Sequence, residues 1–260
     1  MELISVVVIT FNEAKHIKRC LDSVQGIANE IIVVDSGSTD DTVKIAQSCG
    51  AKVIQQDWLG YGEQKNFANN LTKNNWILSL DADEALTPEL KEEMVSELQN
   101  PKHQVYSINR CNRYCGRWLR HSGWYPDTKQ RLFHKNFAYW NTHRVHEILV
   151  VKPNGSIGKF KYDILHYAYE QVDEHEKRTE KYAYLGAEQI FINKKKPSFI
   201  KLYFGGTFRF FRDYILNLGF LDGRSGFWAC KITAQGVSKK YALAMQLFKN
   251  PDLHHQKNNP

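Results

Sequence analysis

The first hundred residues alternate short β-branched runs with segments of helical periodicity, and this alternation restricts the fold more than any other feature of the sequence. Stacked strand–helix units of this kind are typical of a mostly parallel sheet with helices packed on its faces. We therefore expect an α/β protein. The predicted strands are residues 4–10, 30–35, 51–55 and 76–81, and the predicted helices are residues 14–24, 41–48, 62–71 and 89–98.

Polar residues follow three of these strands. The clusters are Thr10–Glu13 after the first strand, Asp35–Asp40 after the second and Asp81–Glu84 after the fourth. Because the carboxyl ends of parallel strands lie at one edge of a sheet, the three clusters should converge there. Asp81, Asp83 and Glu84 would repel one another unless they were solvated, capped a turn or held a cation. We expect a cation, since hard oxygen ligands suit Mg²⁺ or Mn²⁺.

Asp35 ends the second predicted strand and could accept a hydrogen bond from a nucleoside, either from a ribose hydroxyl or from the N3–H of uracil. The glycine fingerprint GxGxxG is absent after the first strand, which continues as TFNEAKH. Binding of NAD or FAD is therefore poorly supported. The alternative is that Asp35 and Asp40 only cap turns and the following helix.

Residues beyond about 105 follow two further patterns. Between Val105 and Lys161 the chain has short aromatic-rich runs, which we interpret as antiparallel or mixed strands that extend the sheet. From about Val172 the pattern becomes helical and basic, in a protein of net charge +7. Residues 251–260 are polar, and we expect a disordered tail there.

The basic region mixes lysines and arginines with aromatic side chains, most densely between Lys194 and Tyr214. Such a mixture suits peripheral contact with anionic lipid headgroups or a phosphorylated glycolipid. We expect Gly205-Gly206 to interrupt the helix in this region. The alternative is a solvated basic face on helices that pack against the rest of the protein. No DNA- or RNA-binding motif accompanies the charge, so nucleic acid is not a predicted partner.

The N-terminal segment has Glu2 where a signal peptide would carry positive charge, and no window of about 18 uncharged apolar residues follows. We therefore expect neither secretion nor a membrane span. The five cysteines are odd in number and scattered. This pattern favours reduced thiols in a cytoplasmic compartment.

The motifs TFNE, VVDSGSTDDT and LDADE, in this order and spacing, resemble those of inverting GT-A glycosyltransferases of family 2, which use nucleotide-diphosphate sugars. The further motifs GYGEQKNFA, GWYPDTKQRLF, RVHE and GFLDGRSGF resemble those of bacterial lipopolysaccharide or lipooligosaccharide inner-core β-1,4-glucosyltransferases. The resemblance spans residues 5–248. It implies a GT-A nucleotide-diphospho-sugar transferase fold, with a Rossmann-like sheet and a basic helical C-terminal extension.

The resemblance also implies a domain organisation and roles for single residues. The catalytic domain would cover residues 1–170, with a nucleotide-sugar half at 1–100 and an acceptor and base half at 101–170, followed by a helical region at 171–250. Asp35 would contact the uracil, Asp81 the ribose, and Asp83 the Mg²⁺ or Mn²⁺ that bridges the diphosphate. Thr10, Asn12 and Glu13 would line the nucleotide pocket, Lys65 would face the nucleotide, and Arg131 would contact a phosphate or the acceptor.

Transfer with inversion needs a general base that takes the proton of the attacking sugar hydroxyl. Glu147, at the head of the apolar run in RVHEILV, is the favoured candidate, and Asp127 in WYPD is the second. The alternative for Glu147 is a cap or a salt bridge to Arg144. His146 could orient the base or reach the metal, or it could be a core histidine.

These observations together predict a metal-dependent inverting glycosyltransferase at the cytoplasmic face of the bacterial inner membrane. The resemblance to the inner-core subgroup alone implies that the donor is UDP-glucose and that the acceptor is an inner-core heptose. The same catalyst could instead move another sugar in capsule, O-antigen or protein glycosylation. A rival of another class is a catalytically silent protein that binds nucleotides or membranes. A processive polysaccharide synthase is disfavoured, because the sequence has neither membrane spans nor a QxxRW motif.

Overall fold

The computed structural model describes residues 2–142 and 147–250, and within the chain two compact units can be separated. The first unit contains Met1–Cys111 and Pro126–Tyr167, and the second contains Asn112–Tyr125 and Ala168–Pro260. The domain boundary predicted at residue 170 stays a prediction. Residues 112–125, however, group with the helical unit, which a division along the chain could not show. The predicted tail lies outside the described residues.

The predicted strands and helices of the first hundred residues occur in the predicted order, and the first and fourth strands have both predicted ends. A short strand at Glu84–Leu86 was not predicted. In chain order the elements are β1 (Ile4–Thr10), α1 (Ile17–Ser23), β2 (Ala28–Asp35), α2 (Thr42–Ser48), β3 (Lys52–Gln55), α3 (Tyr61–Asn70), β4 (Trp76–Asp81), β5 (Glu84–Leu86), α4 (Pro88–Glu97), β6 (Val105–Tyr114), β7 (Arg117–Leu119), β8 (Asp127–His134), β9 (Ala138–Trp140), β10 (Leu149–Val151), β11 (Ile157–Lys159), β12 (Ile164–Tyr169), α5 (Val172–Ile192), α6 (Phe199–Phe211) and α7 (Gly223–Lys249).

The main sheet has the strand order β3-β2-β1-β4-β8-β6-β12-β5. Strands β3, β2, β1 and β4 are parallel, whereas β8 runs antiparallel to β4 and β6 antiparallel to β8. In register, Thr10 lies beside Asp35 and Ile9 lies beside Asp81. The carboxyl ends of β1, β2 and β4 therefore meet at one edge, as the sequence predicts.

The apolar run of β1 explains why this strand lies at the centre of the parallel part. Val6 and Val8 pack with α1 and α4 in one buried cluster, while Val7 packs with Ala68 of α3 and Phe133 of β8 in another. Successive side chains of a strand point to opposite faces of the sheet. Because helices cover both faces, both sets of valines are buried and the strand is apolar throughout.

The second unit is built mainly from α5, α6 and α7, with a π-helical turn at Arg212–Leu216 and a 3₁₀ turn at Gly219–Asp222. The expectation that Gly205-Gly206 would interrupt a helix is wrong, because both residues lie inside α6. A Cβ atom added to Gly206 would lie 2.4 Å from Oγ of Ser238 on α7. The glycines therefore allow two helix backbones to approach closely, which outweighs their poor helix propensity of about 1 kcal/mol each.

None of the helices in the described ranges combines the length and the apolarity needed to cross a bilayer.

Candidate active site

The loops after β1 and β2 are tied to each other by short hydrogen bonds. The backbone N–H of Asn12 donates to Oγ of Ser38 at 2.8 Å, and Oδ1 of Asn12 accepts from the N–H of Thr39 at 2.8 Å. The N–H of Glu13 donates to Oγ1 of Thr42 at 2.8 Å. Asn12 has a positive φ of 54°, a conformation that asparagine tolerates better than most residues. The predicted nucleotide residues Asn12 and Glu13 are thus held against the second loop.

Asp35 is fully buried and caps the turn that follows it. Its Oδ2 accepts from the N–H of Gly37 at 3.0 Å and from the N–H of Ser38 at 2.8 Å. Asp40 accepts in the same way from the N–H of Thr42 at 3.0 Å. The capping alternative is therefore observed for both aspartates, and the contact between Asp35 and uracil stays a prediction. Thr10 is also buried, and its hydroxyl has no hydrogen-bond partner among the described residues.

Asp81 lies at the centre of an ion-pair network. Its Oδ2 is 2.5 Å from Nη2 of Arg131, and its Oδ1 is 3.1 Å from Nζ of Lys65. The side chains of Lys65 and Arg131 are only 2% and 4% exposed. Burial raises the pKa of the Asp81 carboxyl, but Arg131, Lys65 and Arg110 outweigh it and hold this pKa well below its ordinary value. Asp81 is therefore ionised at neutral pH.

Glu84, the third carboxylate of the LDADE motif, is completely buried beneath Asp81. Its Oε2 accepts from the N–H of Asp81 at 3.0 Å, and its Oε1 lies 3.0 Å from Nη1 of Arg110 and 2.5 Å from Nη2 of Arg131. Basic side chains of the protein therefore supply the positive charge expected near Asp81 and Glu84. These side chains are Lys65, Arg110 and Arg131. Such a network fixes carboxylate positions, because a displaced charge would be left buried and unpaired.

Asp83 has a different neighbour, the imidazole of His166 on β12. Oδ2 of Asp83 lies 3.2 Å from Nε2 of His166. Burial raises the pKa of the Asp83 carboxyl, but the nearby His166 outweighs this effect. The net pKa therefore lies below its ordinary value. Across residues 2–142 and 147–250, no group of three or more His, Cys, Asp or Glu side chains is arranged to hold an ion. One carboxylate and one imidazole nevertheless fit a Mg²⁺ or Mn²⁺ ion whose other ligands are substrate phosphates and waters.

The two candidate bases are each joined to Asp81 through one basic side chain. Oε1 of Glu147 lies 3.2 Å from Nζ of Lys65. Oδ2 of Asp127 accepts from Arg110 Nη2 at 2.6 Å and from Arg110 Nε at 2.9 Å. Burial raises the pKa of Asp127, but Arg110 and then Lys129 outweigh it and lower that pKa. The third predicted residue of this group, His146, lies outside the described residues, as does Arg144.

Lys65 is buried because α3 approaches the segment after β9 very closely. A Cβ atom on Gly62 would lie 1.7 Å from the backbone oxygen of Asn141, so only glycine fits there. Asn66 exchanges two hydrogen bonds with the backbone of Trp140, and Nζ of Lys65 lies 4.6 Å from the centre of the Trp140 ring. The motif GYGEQKNFA therefore places one buried cation between Asp81 and Glu147.

Several residues of this network have roles that the sequence does not predict. Glu84 belongs to the clustered carboxylates of the LDADE motif, whereas Arg110, His166 and Trp140 lie outside the motifs that indicate a site. Arg110 lies 26 residues from Glu84 along the chain, and His166 lies 83 residues from Asp83. His166 stands in the otherwise apolar run ILHYAY, which indicates a buried partner without naming it, whereas Arg110 lies among other polar residues of β6 and gives no such signal.

Comparison with known proteins identifies the class to which this fold and site belong. The profile of glycosyl transferase family 2 matches residues 5–151. The chain therefore belongs to this family: it is a glycosyltransferase with a GT-A fold.

Two sequence relatives support the same assignment, whereas one solved structure shows only a partial similarity. An uncharacterized glycosyltransferase of Rickettsia bellii (strain RML369-C) is 36% identical over 86% of this chain and 80% of its own length. The lipopolysaccharide core biosynthesis glycosyltransferase LpsC of Rhizobium meliloti (strain 1021) is 29% identical over 92% of this chain and 93% of its own length. The crystal structure of glucosyl-3-phosphoglycerate synthase from Mycobacterium tuberculosis with Mn²⁺, UDP-glucose and phosphoglyceric acid is 29% identical over 43% of this chain and 44% of that one, with a TM-score of 0.37.

Proposed function

We propose that the protein transfers glucose from UDP-glucose to an inner-core heptose of lipopolysaccharide or lipooligosaccharide, with inversion at the anomeric carbon and with help from Mg²⁺ or Mn²⁺. The observation that carries this proposal is that Asp81 lies at the same edge of a family 2 sheet as Thr10 and Asp35, with Asp83 just after the end of β4. The relationship to LpsC supports a lipopolysaccharide-type acceptor. The choice of glucose and heptose depends on the resemblance of the sequence motifs to the inner-core glucosyltransferases.

The nucleoside end of the donor would lie on the linked loops after β1 and β2. The buried hydroxyl of Thr10 lacks a partner among the described residues, so it is suited to bind a ligand oxygen. Asp35 holds the turn at Gly37–Ser38 and is assigned to the uracil together with Glu13. Asp81, whose carboxylate is 32% exposed, is assigned to the ribose.

The diphosphate end would lie near Asp83 and His166, which are the residues suited to hold the divalent ion. When bound, such an ion acts as a Lewis acid for the charge that grows on the leaving diphosphate. Lys65 and Arg131 are buried beside Asp81 and add positive potential at this edge. Because their positions are fixed before the reaction, little reorganisation is needed as that charge develops. Arg131 would act mainly by holding Asp81 and Glu84, with the contact to a phosphate or the acceptor as its predicted second role.

Glu147 remains the favoured general base. Nζ of Lys65 engages its Oε1, and its Oε2 has no hydrogen-bond partner within the described part of the chain. Asp127, in contrast, has both oxygens occupied, Oδ2 by Arg110 and Oδ1 by Lys129 at 3.0 Å. A carboxylate with one oxygen available can accept the proton of the attacking sugar hydroxyl. His146 would orient Glu147 or approach the metal.

UDP release tests this function directly. Purified protein is incubated with UDP-glucose, UDP-galactose or UDP-N-acetylglucosamine, with truncated lipopolysaccharide that ends in heptose, and with Mg²⁺ or Mn²⁺. We expect release that is selective for UDP-glucose, requires both acceptor and metal, and disappears in Asp83→Ala. The matched control Asp41→Ala, which removes an exposed aspartate paired with Lys44, should keep full activity.

Other outcomes separate the rival functions. Release with a different donor or acceptor would keep the chemistry and discard the glucose or heptose assignment. No release with any donor from folded protein, together with tight UDP binding, would favour a silent binding protein. The finer proposals of a cytoplasmic location and of peripheral membrane contact need a separate test, because UDP release does not report them.

A further inference from the structure

One face of α6 exposes large apolar side chains to solvent. The exposed fractions are 74% for Ile200, 69% for Tyr203, 68% for Phe204, 62% for Phe208 and 50% for Phe211. At 100° per residue, these positions fall within an arc of about 140° on the helix. We call these five residues the α6 aromatic face. Their spacing is that of an amphipathic helix, but the apolar stripe points outward.

The opposite face of α6 is the one that packs against α7. Gly206 is buried, and a Cβ atom there would lie 2.4 Å from Oγ of Ser238 and 2.9 Å from the backbone oxygen of Ala234. A Cβ atom on Gly205 would lie 3.2 Å from Cγ1 of Val237. The helix therefore packs through its smallest residues. A surface helix of a globular protein normally buries its large apolar residues instead. The exposure of the α6 aromatic face therefore indicates that this face binds a partner outside the chain.

The charges around this face are of one sign. Lys194, Lys195 and Lys196 precede the helix and are exposed, as is Lys201 within it. The acidic residues between Lys194 and Lys249 are Asp213 and Asp222, and they are 0% and 2% exposed. Arg209 and Arg212 form ion pairs with Asp213, whereas the carboxylate of Asp222 accepts a hydrogen bond from the hydroxyl of Ser122 and contacts the imidazole of His121.

The turns after α6 extend the exposed apolar surface. The π-helical turn exposes Ile215 and Leu216 at 43% and 60%, and the segment after it exposes Leu218, Phe220 and Leu221 at 43%, 45% and 49%. The segment from Phe199 to Leu221 thus carries exposed apolar residues and basic residues. Its one acidic residue, Asp213, is fully buried. Isolated exposed apolar residues are ordinary, but such a concentration marks a binding surface.

We propose that α6 lies flat on an anionic phospholipid bilayer, with the α6 aromatic face inserted at the boundary between headgroups and acyl chains and with the lysines at residues 194–196 and 201 facing anionic headgroups. A helix with an apolar face and basic flanks binds membranes in this orientation. A second copy of the chain fits less well, because a self-interface would bring two uniformly basic surfaces together. The role that we assign to membrane binding rests on the proposed function, because a glycolipid acceptor is itself held in a membrane.

Vesicle flotation tests the proposal without substrate. The vesicles are made of phosphatidylcholine alone or with roughly one third phosphatidylglycerol, and they contain no glycolipid acceptor and no nucleotide sugar. We expect wild-type protein to float with the anionic vesicles, to float less with the neutral ones, and to be released by salt. The double substitution Phe204→Ser/Phe208→Ser should weaken binding at least about tenfold, because it removes two inserted aromatic side chains.

The matched control is Leu3→Ser/Ile157→Ser, which removes two apolar side chains of the first unit that are 52% and 50% exposed. This variant should bind vesicles as the wild type does. Failure of wild-type protein to bind anionic vesicles at low salt, or equal binding by the Phe204→Ser/Phe208→Ser variant, overturns the proposal. A dimer in sedimentation velocity that dissociates in this variant, without vesicle binding, assigns the surface to a second copy instead.

Turnover with a lipid-free oligosaccharide acceptor separates this proposal from the proposed function. Vesicle binding without turnover supports the membrane surface and counts against the glycosyl transfer. Turnover without vesicle binding does the reverse.

Discussion

The two compact units depart from the usual distribution of residues in opposite ways. The first unit buries charge: the side chain of Lys65 is 2% exposed, and that of Glu84 is 0% exposed. The second unit exposes apolar surface, with Ile200 at 74% and Phe204 at 68%. Folded proteins ordinarily do neither, because lysine and glutamate are rarely fully buried and large apolar patches are rarely left in water.

The two features differ in whether other residues of the chain compensate for them. Every buried charge of the first unit that surrounds Asp81 has an oppositely charged partner, so the network is rigid before substrate arrives. The α6 aromatic face has no such internal compensation, which is why we assign it to an external partner. Internal pairing suits a site that must position reacting groups, whereas exposed apolar surface suits docking.

The largest expected effect separates the two candidate bases of the first unit. Glu147→Gln keeps the size of the side chain but removes its basicity, so kcat should fall about a thousandfold. Asp127→Asn should reduce kcat by no more than about tenfold, because both oxygens of Asp127 are engaged by Arg110 and Lys129. Steady-state UDP release measures both values. The opposite ranking would transfer the role of base to Asp127.

The next effect concerns the cost of breaking the buried network. Arg131→Met removes the more deeply buried of the two arginines that pair with Glu84 and Asp81, and the free energy of unfolding should fall by about 3–5 kcal/mol. Lys18→Met is the control, because it breaks an exposed pair with Asp22 of 2.7 Å and should change stability by less than about 1 kcal/mol. Urea unfolding compares them. Equal losses would show that burial does not set the strength of these pairs.

The order of the first strands and helices along the chain and the edge where the site forms could be predicted from the sequence, because both depend on local patterns. The run WILSLD predicts β4 with both ends correct, and the polar residues after β1, β2 and β4 mark the edge. The ion pairs could not be predicted in the same way. Glu84 meets Arg131 across 47 residues, and Lys65 meets Glu147 across 82. Such pairs depend on strand register and helix packing, which no local pattern records.

The orientation of α6 shows a second limit of the sequence. The mixture of aromatic and basic residues predicts a binding surface, but the same sequence also predicts, wrongly, that Gly205-Gly206 interrupts the helix. The glycines instead lie at the contact with Val237 and Ser238 of α7, which only the tertiary structure reveals. A glycine pair in an apolar segment has the same local signature whether it breaks a helix or lets a neighbouring helix approach.

A pH-dependent effect should come from the second unit. Burial, and then the charge of Arg178, lowers the pKa of His175 to about 4. The imidazole is neutral in both states above its unfolded value of about 6.5. As pH falls from there to about 4, the unfolded state takes up a proton that the folded state does not, so stability is lost over this window and levels off below it.

The loss attributable to His175 should approach roughly 3 kcal/mol. His175→Gln, which keeps a polar group near the hydroxyl of Tyr114, serves as the control. The free energy of unfolding of this variant should decline less steeply between these pH values. Identical slopes for the two proteins would show that His175 titrates normally in the folded state.

The smallest expected effect comes from substituting the glycines through which α6 packs on α7, because this packing leaves the α6 aromatic face exposed. In Gly206→Ala the new methyl group would meet Ser238 and Ala234, so the free energy of unfolding should fall by about 1–2 kcal/mol despite better helix propensity. Gly205→Ala faces a looser contact with Val237 and should stay within about 0.5 kcal/mol of the wild type. Thermal unfolding of the two variants checks the ranking. Equal stability would mean that α6 does not pack through Gly206.

A comparison of two variants in two assays tests whether the first unit carries glycosyl transfer and the second unit carries membrane binding. Glu147→Gln and Phe204→Ser/Phe208→Ser are each assayed for UDP release with a lipid-free heptose acceptor and for flotation with anionic vesicles. We expect opposite defects: Glu147→Gln floats like the wild type but releases UDP about a thousandfold more slowly, and the phenylalanine variant releases UDP normally but binds vesicles at least about tenfold more weakly. Loss of both properties in both variants, with folding intact, would contradict this expectation.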